Sequence, residues 1–214
     1  MQAAYHMRHA RSCSAPSSSG MPFAPARDPA GKAVSATTTA VLAEVRQERQ
    51  RQHLKWGEQN LDPADWLMVI GEELGEVSRA VIEHRLGHAP DLSAYRTELV
   101  QVAAATAQAV ESLDRQQRDA QTDAIGAVLT EIHAERTRQD SKWGEQNHPP
   151  EIWLMILGEE FGEANQAALE HYFSGFDKQA AERGPRDLGD YRAELVQVAA
   201  VAVSMIESLD RQHA

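Results

Sequence analysis

The residues of this chain best suited to chemistry are acids, and they occur in two matching sets. Glu72-Glu73-Leu74-Gly75-Glu76 is echoed by Glu159-Glu160-Phe161-Gly162-Glu163. On a helix, Glu73 and Glu76 (and likewise Glu160 and Glu163) share one face as i,i+3 neighbours. A later segment adds Glu98 and Gln101 at the same spacing, matched by Glu194 and Gln197. If the two segments pack as antiparallel helices, three carboxylates and an amide converge in each set. Carboxylates that close raise one another's pKa. A hard divalent cation relieves the conflict, since Mg²⁺ prefers oxygen ligands and keeps waters for a phosphate substrate. Taken singly, such an acidic run reads as a solvated helix face. Its recurrence argues otherwise, because neighbours such as Val77/Ala164 and Ser78/Asn165 have drifted while the acids have not. Glycines at 75 and 162 cost roughly 1 kcal/mol each inside a helix, which leads us to expect a close approach there.

The elements that would hold these acids are themselves repeated. Residues 40–84 align with 127–171 without a gap, with 26 identities in 45 positions, and residues 95–116 align with 191–212 with 15 in 22. The chain is therefore a tandem duplication: an Ala/Ser/Pro-rich tail over 1–38, one copy over 39–118 and a second over 123–214. Each copy reads as three helices. The first covers Val41–Gln52 (Val128–Gln139). The second begins near Asp62-Pro63 or Pro149-Pro150, where proline suits a first turn. The third spans about Tyr95–Gln116. The second helix carries the apolar stripe Leu67, Ile70, Leu74, Val77 and Val81, and the third carries Leu99, Val102, Ala103, Thr106, Val110 and Leu113. Both are one-sided helical patterns. Strand-like alternation is absent. Three striped helices form a thin core, so the two copies are expected to bury their stripes against each other in an all-α helical bundle, a dimer fused into one chain.

Composition narrows the function. The chain of 214 residues has a net charge of -11, and its acidic body argues against general binding to nucleic-acid phosphates. No run approaches the roughly 18 apolar residues of a membrane span. The lone Cys13 excludes an intramolecular disulfide and any cysteine-based zinc site. The tail lacks the apolar core of a secretory signal and reads as disordered, so a soluble, cytoplasmic protein is expected.

With Arg49–Asn60 and Arg136–Asn147 as preamble, the ordered acids of both copies resemble the MazG-like all-α nucleoside triphosphate pyrophosphohydrolases, whose signature is Glu-Glu-x-x-Glu followed by Glu-x-x-Asp. The resemblance covers essentially residues 40–212. It implies a helical bundle of paired modules and hydrolysis of a (d)NTP to the monophosphate and pyrophosphate with Mg²⁺ (or Mn²⁺). It further implies Glu73, Glu76 and Glu98, and Glu160, Glu163 and Glu194, as metal ligands, with Glu72 and Glu159 placed to orient or deprotonate the attacking water. It also implies association of the fused chain into a homodimer. Where the family has Asp, both copies have Gln, at 101 and 197. An amide oxygen still coordinates Mg²⁺ or holds a metal-bound water, but one negative charge is lost from each site.

Lys55-Trp56-Gly57-Glu58-Gln59-Asn60 recurs as Lys142-Trp143-Gly144-Glu145-Gln146-Asn147. Lys55 and Lys142 are candidates for phosphate contacts, and Trp56 and Trp143 for stacking on a base. Gln59, Asn60, Gln146 and Asn147 carry amides able to read a base edge. The competing reading is that the tryptophans pin a loop and the amides cap helix ends. Trp66 and Trp153 read as core. A ferritin-like di-iron site would need Glu-x-x-His on two helices; only Glu145 and His148 have that spacing, and Leu61 replaces the histidine in the first copy. The stronger alternative to an enzyme is a nucleotide-binding or partner-binding helical module in which Gln101 and Gln197 have ended turnover.

Overall fold

A computed structural model describes residues 36–117, 124–173 and 187–212. The described residues are helical with no strand. There are six helices: α1 Ala36–Trp56, α2 Pro63–Arg85, α3 Ser93–Gln117, α4 Ala124–Trp143, α5 Pro150–Tyr172 and α6 Leu188–Gln212. This is the all-α bundle expected, with three helices from each sequence copy. The expected disordered tail falls almost wholly outside the described residues, as does most of the stretch between the two copies.

Local chemistry sets the ends of the helices. α1 and α4 run on into the Lys-Trp pair and stop at Gly57 and Gly144, which take φ of 72° and 74°. Their amides close the last turn on His53 O and Asp140 O at 2.8 and 2.9 Å, the left-handed ending for which glycine is favoured. α2 begins at a proline, with Asp62 accepting from the Asp65 amide at 3.1 Å. α5 begins the same way, at Pro150 after Pro149, without a side-chain cap.

α3 and α6 form the centre and make the most extensive contact in the bundle, with α2 packed on α3 and α5 on α6. Every residue from Val102 to Leu113 and from Val198 to Leu209 is buried. This corrects the one-sided stripe read from the sequence, since a helix enclosed on all sides is the usual fate of one rich in small and apolar residues all round. The alanines at 103–105, 107, 109, 199, 200 and 202 let neighbouring backbones approach. α2 keeps the expected stripe through Ile70, Val77 and Val81, with Leu67 and Leu74 only half-buried.

Charged residues tie the helices together in matching pairs. Arg96 donates to Glu44 on α1 and Asp210 on α6 at 2.7–2.9 Å. Arg192, its counterpart in the second copy, donates to Glu131 on α4 and Asp114 on α3 at 2.6–2.9 Å. Deeper in, Arg49 pairs with Glu111 at 3.2 Å and Arg136 with Glu207 at 2.7 Å, all four side chains buried. Burial pushes the Glu111 carboxyl up, against the pull of Arg49 and Arg115.

Candidate functional site

In the second copy the acids meet. Oxygens of Glu160 and Glu163 on α5 and Glu194 on α6 all lie within 4.8 Å of one another, the only such trio of His, Cys, Asp or Glu among the described residues. Glu160 Oε2 is buried and has no hydrogen-bond partner. Burial, then the charges of Glu163, Glu194, Glu159 and Glu135, push its carboxyl up to about 7. Gln197 turns its amide nitrogen to Glu194 Oε2 at 2.5 Å. A carboxylate at that position would repel Glu194; the amide instead holds it in place.

The first copy gathers the same residues differently. Glu73 is only 6% exposed. Burial, then the charges of Glu98, Glu72 and Glu48, push it up to about 7, with Arg51 opposing. Gln101 donates to Glu98. Glu76, however, is ion-paired to Arg79, so Glu73, Glu76 and Glu98 do not form a compact trio. Glycines 75 and 162 face open space, with nothing within 4 Å of an added Cβ. The expected close approach at these positions is therefore absent. Gly71 comes nearer to one, since its Cβ would touch the Phe161 ring at 3.6 Å.

Glu48 on α1 and Glu135 on α4 are neighbours of the acids that sequence reasoning missed. Arg51 grips Glu48 at 2.5–2.7 Å and Arg138 grips Glu135 at 2.7 Å. Gln52 and Gln139 add amide donors to the same carboxylates. The signal was available, because Glu-Arg-x-Arg-Gln is identical at 48–52 and 135–139.

The loop residues divide by role. Asn60 Oδ1 and the Gln59 carbonyl accept from Arg115, and Asn147 Oδ1 and the Gln146 carbonyl accept from Arg211, which fixes each loop to the end of a central helix. Lys55 and Lys142 sit over their neighbours Trp56 and Trp143, each at 4.4 Å from the ring centre. Trp66 and Trp153 are core. Trp143 is 48% exposed and, with Gln139, Gln146, Trp153, Ile156 and Ser204, borders a cleft of about 190 Å³ that reaches Glu159 and Glu160. Glu135, Arg138, Arg192 and Gln197 line a separate, shallow groove of about 500 Å³. Of the second-copy acids, Glu159 and Glu160 thus border an aromatic cleft, while Gln197, the partner of Glu194, borders a groove bearing two arginines.

No protein-family model, curated protein or solved structure matches the chain. No helix is long and apolar enough to cross a membrane among the described residues.

Proposed function

We propose that this chain is a metal-dependent nucleoside triphosphate pyrophosphohydrolase built as two MazG-like modules fused into a pseudo-dimer. The observation that carries the reading is the trio Glu160, Glu163 and Glu194, with a buried, unpartnered oxygen on Glu160 and an aromatic cleft alongside. The donor set fits Mg²⁺ or Mn²⁺, being all oxygen and gathered from two helices, with the Glu160 carboxyl pushed up by burial and then by the charges of its acidic neighbours. The reciprocal ion pairs of Arg96 and Arg192, each bridging its own copy and the other, support the pseudo-dimer, since matching contacts in both directions characterise a two-fold interface.

Glu160, Glu163 and Glu194 would hold the cation. When bound, it would neutralise phosphate charge and polarise the phosphoryl oxygens toward attack by water. Glu159, on the cleft wall beside Glu160, accepts the proton of the attacking water. Gln197 keeps Glu194 oriented. Arg138, at the edge of the arginine-bearing groove, exchanges Glu135 for a phosphate oxygen of the substrate. The α–β phosphoanhydride breaks as water adds to the α-phosphorus, the nucleoside monophosphate stays behind and pyrophosphate leaves. The Gln197–Glu194 contact also favours a second reading, a nucleotide-binding module without turnover, because an amide aimed at Glu194 offers its nitrogen rather than a ligand oxygen.

Pyrophosphate release from a panel of canonical and modified NTPs and dNTPs, with Mg²⁺, Mn²⁺ or EDTA, separates the two. Metal-dependent formation of monophosphate and pyrophosphate is expected. Binding without turnover across the panel would establish the second reading, and neither binding nor turnover would refute both.

A further inference from the structure

The two copies differ at the mouth of one cleft. In the second, Ser204 on α6 leaves room between Trp143, Gln146 and Trp153, and the space opens to Glu160. The matching residue on α3 is Gln108, whose Nε2 donates to Gln59 Oε1 at 2.9 Å. A longer side chain thus spans the place that Ser204 leaves open, and it binds the very amide whose counterpart, Gln146, lines the cleft. Burial follows the same division. Val69 and Glu73 are buried where Ile156 and Glu160 are half-buried, and Trp56 is less exposed than Trp143. The carboxylates differ independently. Arg79 draws Glu76 into an ion pair, but Gln166 stands at the equivalent position and donates to Glu170 instead. Glu163 is accordingly found with Glu160 and Glu194.

Resting on the hydrolase reading above, we propose that each chain takes a single nucleotide, with its base in the second-copy cleft, and that Gln108 closes the matching cleft of the first copy. The cleft, at about 190 Å³, is smaller than the roughly 300–1,000 Å³ of pockets that enclose a whole ligand. It holds one heterocyclic ring system while sugar and phosphates lie outside it, along Glu159 and Glu160. Trp153, Ile156 and Val201 supply apolar walls, Trp143 a partly exposed indole face, and the Gln146 side chain an amide for a base edge.

The full-length chain would be titrated with the α,β-imido analogues of dATP, dCTP, dGTP and dUTP in Mg²⁺, reading stoichiometry by calorimetry and tryptophan quenching. One nucleotide per chain is expected for the preferred base. Ser204→Gln, which gives the second copy the plug of the first, is expected to lower kcat/KM by roughly tenfold or more while helicity is retained. Gln108→Ser is expected to leave turnover at the wild-type level. Two equal sites per chain, or full activity in a folded Ser204→Gln protein, would overturn the inference and leave the hydrolase reading standing. A wild-type chain that neither binds nor hydrolyses any of the nucleotides would overturn the hydrolase reading and this inference together.

Discussion

Glu73 should destabilise the metal-free protein at neutral pH, and replacing it with glutamine should reveal by how much. Its carboxyl is almost fully enclosed, with Glu98, Glu72 and Glu48 around it and Arg51 the one cation in opposition. Burial and those charges move it from an ordinary 4.5 up to about 7. The folded state therefore binds the proton more tightly than the unfolded state. The stability this provides is fully present below about pH 4.5 and is lost as pH rises through about 7. Each tenfold in proton affinity is worth about 1.4 kcal/mol, so the full swing is about 3 kcal/mol. A glutamine carries no charge but buries an amide that must find partners, which returns about 1 kcal/mol. Glu73→Gln should then be more stable than wild type by about 2 kcal/mol at pH 8 in EDTA, or about 4–8 °C in Tm for a body of this size. The gap should close, or reverse slightly, at pH 4.5. Differential scanning calorimetry of both proteins across pH 4.5–8 measures this directly. A variant no more stable than wild type at pH 8, or a gap independent of pH, would refute the electrostatic account of this position.

Other outcomes follow from the same geometry. Glu160→Gln should abolish metal-dependent pyrophosphate release while far-UV circular dichroism stays unchanged, because the side chain belongs to the acid trio and not to the core. Glu207→Ala should cost about 1.5–3 kcal/mol in urea unfolding, since it removes the buried partner of Arg136 and leaves the guanidinium only Asp140 and Gln139. Gly162→Ala should stabilise the chain by about 0.5–1 kcal/mol, because the added methyl meets nothing and removes helix-interior glycine entropy. A loss of activity in that stabilised variant would show that the open space beside Glu163 accommodates substrate.

Repetition made the number and order of the helices legible, and the spacing of Glu160, Glu163 and Glu194 made their meeting legible. Three features were not readable in that way. Enclosure of α3 and α6 on every side depends on which helices surround them, and Ala103–Ala105 suit a fully buried position as well as a stripe. The roles of Gln59 and Asn60 depend on Arg115, which lies 55 or more residues away in sequence and adjacent only after folding. The inequality of the two sites rests on Arg79/Gln166 and Gln108/Ser204. These positions differ between the copies, and a search for recurring residues passes over them.

That last pair carries a consequence for how such a protein changes over time. In an assembly of identical subunits every substitution appears twice, so a glutamine that closes one cleft closes both. A single gene encoding two unlike halves is released from that rule. Arg96 and Arg192 still need their acids on both sides, which ties each half to the presence of the other. Beside those fixed crossings, each half is free to change at positions where the other does not, and the two are always made in equal amounts.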